Sequence, residues 1–191
     1  MKPFKIIAGV FAAAIVAEIF QTFLLAGSVF LVIYLFLFRP FQVSGSSMYP
    51  NFEDREYVLT NIIGKHFSDP KRGDVIVFQS PTETDKDFIK RVIGLPEDTV
   101  MLKEGDIYIN GQKIDQSTFL SNDVKTFSGA FLKEAQPVVI PADEYVVMGD
   151  NRGNSSDSRE WGFVKKGEIV GQTFFVYWPP NQAKIIQNPL Q

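Results

Sequence analysis

The 191-residue sequence has no cysteine and a single histidine, His66. The missing cysteine excludes disulfides, thiolate nucleophiles and most zinc-ligand patterns, so neither a metal site nor any other cofactor is expected. The single histidine leaves any histidine-based triad dependent on one residue, and His66 lies in Gly64 to Pro70, a polar segment that reads as a surface loop. Basic runs are lacking as well. Lys and Arg total 19 against 22 Asp and Glu, a net charge of −3, and no cluster suits a phosphate backbone, which argues against nucleic acid as a partner. No internal repeat is evident.

What is present first is a long uncharged run. No charged residue falls between Phe20 and Phe38, close to the roughly 20 apolar residues that a bilayer requires. A removable secretory signal fits less well, because the apolar core exceeds roughly 7 to 15 residues and no small-x-small cleavage site follows. Residues 20–38 are therefore expected to be a transmembrane anchor, 1–19 a cytoplasmic or interfacial segment, and 39–191 an extracytoplasmic domain, with the lipid bilayer as a partner. Ile6 to Ala17 is apolar too but too short to span, and it meets the anchor through Glu18 without a turn signal. It either extends the helix or lies in the interface. Lys2 and Lys5 favour a cytoplasmic N-terminus.

Beyond Pro40 the pattern changes to short alternating runs bounded by turns: Tyr57 to Thr60, Asp74 to Phe78, Phe88 to Gly94, Val100 to Leu102, Ile107 to Ile109, Pro137 to Ile140, Glu144 to Met148 and Glu168 to Trp178. Period-two alternation predicts a mainly β, antiparallel domain. Asn110-Gly111 predicts a hairpin that joins Ile107–Ile109 to Gln112–Ile114. Residues 115–136 have weak periodicity and read as a surface loop or helical turn.

Two of these stretches carry candidate chemistry. Ser47 stands in Ser44-Gly45-Ser46-Ser47-Met48-Tyr49-Pro50, just past the anchor. A serine hydroxyl needs a neighbouring base to attack a carbonyl. Lys90 is the candidate, since alternation puts it on one strand face with Phe88 and Val92, while Arg91 shares the other with Ile89 and Ile93. Burial between apolar neighbours disfavours the ammonium and lowers its pKa. The plainer readings are a flexible Ser/Gly turn and a solvated basic residue. A third stretch, Met148 to Gly162, is dense in hydrogen-bonding groups and framed by apolar strands. It is either a polar surface loop or a rigid brace in which Asp157 and Arg159 pair and a serine orients the lysine.

In order and spacing these three stretches, together with Lys71 to Phe78, resemble the bacterial type I signal peptidases, and the resemblance covers the anchor and Pro40 to Trp178. It implies a membrane-anchored Ser/Lys endopeptidase of largely β fold that removes signal peptides from exported preproteins. By matching positions, Ser47, rather than Ser44 or Ser46, becomes the nucleophile and Lys90 the general base. Ser155 becomes the group that orients the lysine, and Asp157 and Arg159 the structural acid and arginine. The Ser47 N–H would be one oxyanion donor. Some members carry a serine two places before the nucleophile, where this chain has Gly45, so the second donor is left open between the Gly45 backbone, Ser44, Ser46 and none. Cleavage after small residues in an Ala-x-Ala-like pattern implies shallow apolar pockets, with Phe41, Val43, Met48, Val77 and Ile89 as walls or as ordinary core. The short stretch between Lys90 and Gly149 matches the compact members that lack an extra β subdomain, while the apolar run before Glu18 departs from the pattern. Three alternatives stand beside this reading: a His66-based protease, a cytosolic repressor-type Ser/Lys enzyme, and a non-catalytic anchored β-module that binds exported peptides.

Overall fold

The computed structural model describes residues 2–64, 68–83 and 85–190, so the loop expected around His66 lies in part outside the described residues, His66 included. The chain divides into two compact units, with the boundary between Phe38 and Arg39. The first is a helix, α1 (Lys2–Phe36). Its sequence is apolar all round and free of proline after Pro3, and the stretch Ala13–Tyr34 is long and apolar enough to cross a membrane by length and composition. Thr22 and Ser28 return their hydroxyls to the carbonyls of Glu18 and Leu24, at 2.8 and 2.9 Å, which satisfies these polar groups within the helix. Ile6 to Ala17 thus continues the helix through Glu18. The expected limits of 20–38 shift accordingly. Phe38 already belongs to a strand, because Pro40 disfavours helical backbone at the residue before it and ends the helix upstream.

The second unit is mainly antiparallel β, as expected. Its strands are β1 (Phe38–Gln42), β2 (Tyr57–Asn61), β3 (Val75–Gln79), β4 (Asp87–Gly94), β5 (Thr99–Lys103), β6 (Asp106–Ile109), β7 (Gln112–Lys113), β8 (Val138–Val139) and β9 (Glu144–Met148). A single-turn helix, α2 (Ser158–Trp161), precedes β10 (Val164–Lys165), β11 (Ile169–Trp178) and β12 (Lys184–Ile185). Among the described residues the larger sheet runs β1-β2-β11-β3-β4-β9-β10, with β12 added to β11, and the smaller runs β7-β6-β5-β8. The Asn110-Gly111 hairpin forms as the sequence predicts. Both residues have positive φ, 53° and 81°, and they bring Ile109 opposite Gln112.

Apolar side chains collect on both faces of the larger sheet. One cluster holds Ile76, Phe78, Val92, Tyr145 and Val147; another holds Val43, Met48, Phe52, Val58 and Val176. Burial on both sides explains why β4 is buried without alternation from Lys90 to Gly94. Residues 115–136 have turns but no helix, and they are not a simple surface loop. Phe119, Leu120, Thr126 and Leu132 are buried, spaced too irregularly to register as a period.

Register centres the site. In the β3–β4 pair Ile76 lies opposite Lys90, and in the β4–β9 pair Arg91 lies opposite Met148, the last residue before the polar loop. β11 holds the middle between β2 and β3. A Cβ on Gly171 there would stand 2.3 Å from the backbone oxygen of Asn61. Gly171→Ala is therefore expected to lower stability by about 1 to 3 kcal/mol, read as a drop in the denaturant midpoint of the purified protein.

Candidate active site

Ser47 is carried by a turn between β1 and β2 that is closed at its base and pinned from beneath. The base is held by Val43 N–H to Glu56 O at 2.8 Å and Arg55 N–H to Val43 O at 2.9 Å. Met48 and Phe52, on either side of Tyr49-Pro50, are 1% and 2% exposed and root the turn in the core. Gly45 enters it with φ of 83°, a conformation that glycine adopts without a Cβ clash.

Lys90 reaches this turn from β4. Its Nζ donates to Ser47 Oγ at 2.8 Å and to the Ile89 carbonyl at 3.0 Å. Lys90 is 5% exposed. Burial brings its pKa from 10.5 down to about 8, while the carboxylates of Asp157 and Asp150 pull the other way. Desolvation wins because neither carboxylate makes an ion pair with Lys90. Each is already committed to an arginine.

Those two pairs organise the loop after β9. Arg91 donates Nε and Nη2 to Asp150 at 2.8 and 2.6 Å, and its Nη1 to Gly73 O at 2.9 Å. Arg159 donates Nε and Nη2 to Asp157, both at 2.8 Å, and its Nη1 to Arg152 O at 2.8 Å. Asp157 Oδ2 also accepts the Gly149 N–H at 3.0 Å. Two-pronged geometry and further hydrogen bonds to each carboxylate are what allow such charges to be buried. Arg152 is buried between the pairs, held by Gly149 O at 3.0 Å and by Thr126, and burial lowers its pKa to about 10.

The loop is also stitched to the turn that carries Ser47. Asn51 Nδ2 donates to Asp150 Oδ2 at 2.9 Å, and the Asn151 N–H donates to Ser47 O at 3.0 Å. The side chains of Asn151 and Asn154 donate to Ser46 O and Ser46 Oγ at 3.0 and 2.8 Å. Gly149 permits the approach, since a Cβ on it would stand 2.4 Å from Ser47 O and 2.2 Å from Ser155 Oγ.

A cleft of about 340 Å³ opens over the pair, lined by Phe41, Val43, Val77 and Ile89 together with Ser47 and Lys90. Of the expected walls, Met48 is absent, being packed instead with Phe52, Val58, Val75 and Val176 beneath the turn. Ser47 and Lys90 are brought together, Asp157 and Arg159 pair, and Ser155 does not bond to the lysine: its Oγ is buried with no hydrogen-bond partner. The Gly45 N–H is taken by Asp54 Oδ1 at 2.7 Å, which removes it from the candidate oxyanion donors. The Ser47 N–H has no acceptor among the described residues.

Sequence reasoning passed over the Arg91–Asp150 pair and Asn51. The available signal was an arginine next to Lys90 on the opposite face of a strand too apolar to leave it in water. Removing one partner leaves the other charge buried, so Asp150→Ala is expected to destabilise the protein by about 3 to 5 kcal/mol. Thermal or denaturant unfolding measures this.

The family described as "Signal peptidase, peptidase S26" matches residues 16–178. The chain is 41% identical over 152 residues to Signal peptidase I of Bacillus amyloliquefaciens, covering 78% of this chain and 80% of that protein. It is 39% identical over 158 residues to Signal peptidase I S of Bacillus subtilis (strain 168), covering 81% and 84%. Among solved structures, a signal peptidase I from Enterococcus faecalis V583 aligns with a TM-score of 0.45 at 31% identity, covering 55% of this chain and 97% of that one. The match spanning residues 16–178 and the relatives aligned over some four-fifths of the sequence lead to one conclusion: this chain belongs to the signal peptidase family, peptidase S26, and is a peptidase.

Proposed function

We propose that this protein is a membrane-anchored serine endopeptidase that removes N-terminal signal peptides from exported preproteins after small residues, with Ser47 as nucleophile and Lys90 as general base. The observation that carries this reading is the 2.8 Å contact from Lys90 Nζ to Ser47 Oγ, made by a buried lysine at a cleft that Phe41, Val43, Val77 and Ile89 help to line. The relatives named above as signal peptidases point to the same substrate class.

In the proposed reaction a peptide lies along the cleft with its scissile carbonyl over Ser47. Neutral Lys90 takes the hydroxyl proton as Oγ attacks, and the Ser47 N–H receives the oxyanion that forms. Protonated Lys90 passes its proton to the leaving amine, an acyl-enzyme results, and the lysine then activates water to release it. Of the hydroxyls considered as second oxyanion donor, Ser44 lines the cleft, whereas Ser46 Oγ faces Asn154. Ser155 Oγ lies beside the same glycine as the Ser47 carbonyl and is unpartnered, which suits it to hold the lysine in its ammonium form.

Specificity in this reading is steric. Phe41, Val43, Val77 and Ile89 leave shallow apolar space, and an extra methylene gains only about 1 to 3 kcal/mol in such a pocket, so larger side chains are rejected by shape. Ala13–Tyr34 serves as the anchor, with Lys2 and Lys5 on the cytoplasmic side and the β unit outside.

Cleavage of a preprotein by the purified protein tests this directly. Ser47→Ala and Lys90→Ala are each expected to abolish processing; equal processing by Ser47→Ala and the unmodified protein would favour a peptide-binding module. The pH dependence carries a definite sign. The base works only when neutral, so kcat/KM is expected to be level above about 8 and to fall about tenfold per pH unit below that value. Undiminished cleavage at pH 6 would remove Lys90 from the role.

A further inference from the structure

We propose that Asn151 is a positioning residue that aims the Ser47 N–H into the cleft by holding the peptide groups on both sides of Ser47. This rests on the reading of Ser47 as nucleophile.

The Ser46 carbonyl and the Ser47 N–H belong to one peptide unit, and that unit is trans, since the cis bonds in the described chain are Tyr49-Pro50 and Trp178-Pro179. In a trans peptide the C=O and N–H point in opposite directions. Whatever grips the carbonyl therefore sets where the N–H points. Asn151 Nδ2 grips the Ser46 carbonyl at 3.0 Å. The backbone N–H of the same residue grips the next carbonyl, Ser47 O, at 3.0 Å. One residue thus fixes both planes flanking the Ser47 Cα, and the Ser47 N–H is left with no acceptor among the described residues.

The bond from Tyr49 N–H to Ser46 O, 3.1 Å, does something different. It lies within the turn and moves with it. Asn151 belongs to the loop after β9, whose neighbouring residue Asp150 is locked to Arg91 on the strand that carries Lys90. Its amide therefore references the oxyanion donor to the same frame as the base. Asn154, by contrast, reaches the Ser46 side chain and touches neither peptide.

The consequence is a residue that acts on the tetrahedral state without touching substrate or lysine. In the full-length protein, Asn151→Ala removes the side-chain grip, and Asn151→Leu removes it while keeping comparable bulk and no charge. Both retain the backbone bond to Ser47 O. A misaimed oxyanion donor is expected to lower kcat about 10- to 100-fold. The affinity of a peptide aldehyde, which adds reversibly to the serine hydroxyl and places an oxygen at the oxyanion position, should fall by a similar factor. KM and the acid limb of the pH profile should stay in place. Unchanged kcat and aldehyde affinity in both variants would overturn the proposal. So would a loss confined to KM, or a loss that travels with a shifted acid limb, which would mean that Asn151 acts through substrate binding or through Lys90. If Ser47→Ala cleaves as well as the unmodified protein, the nucleophile reading itself fails and takes this inference with it.

Discussion

For Lys90 to accept a proton near neutral pH, as proposed, water must be kept from its ammonium form, and the architecture around it meets that constraint. The side chain sits in a strand buried on both faces, with Ser47 Oγ and the Ile89 carbonyl as its polar contacts. Carboxylates nearby would undo this by stabilising the charge. Asp150 and Asp157 are indeed close enough to matter, yet each is saturated by an arginine in two-pronged geometry. Their field on the lysine is countered at source, and desolvation prevails.

The same ion pairs give the site its rigidity. Arg91 neighbours Lys90 on β4, and Asp150 neighbours Asn151, which holds the Ser47 turn. Lys90 and Ser47 thus come from separate segments of chain joined through a buried charge pair and a row of asparagine bonds. Segment 115–136 closes over this arrangement. Phe119 lies with its ring 4.5 Å from the Arg91 guanidinium carbon and offers its carbonyl to Asn51, while Thr126 caps Arg152. An irregular connection is suited to that task, because it must present a carbonyl here, a hydroxyl there and a ring elsewhere, which no repeating conformation does.

Much of this was legible in the chain. Short apolar runs bounded by turn residues located β2, β3, β4, β9 and β11; β2 buries every second residue, whereas β3, β4 and β9 are buried over most of their length. Asn-Gly marked its hairpin by backbone conformation alone. Asp157 and Arg159 could be paired because they are close in sequence. Met48 stayed open between cleft wall and core for the opposite reason: a methionine beside a serine reads the same whether it lines a groove or roots a turn. The anchor was drawn to Phe38, past the last helical residue Phe36, because hydropathy continues beyond the point where Pro40 changes the backbone.

Sequence by itself determined the presence of a long apolar segment near the N-terminus, the antiparallel β character of the rest, and the serine and lysine that stand out when cysteine is absent and histidine is single. These depend on composition, short-range periodicity and local backbone preference, all readable within a few residues. Tertiary structure alone decided that Lys90 meets Ser47, that Arg91 is buried on Asp150, that the Gly45 N–H is spent on Asp54, and that Ser155 has no partner. Each is a contact between segments far apart or a competition for one donor. Such outcomes depend on strand register and on which neighbour arrives first at a given hydrogen bond, and neither leaves a mark in the local pattern of residues.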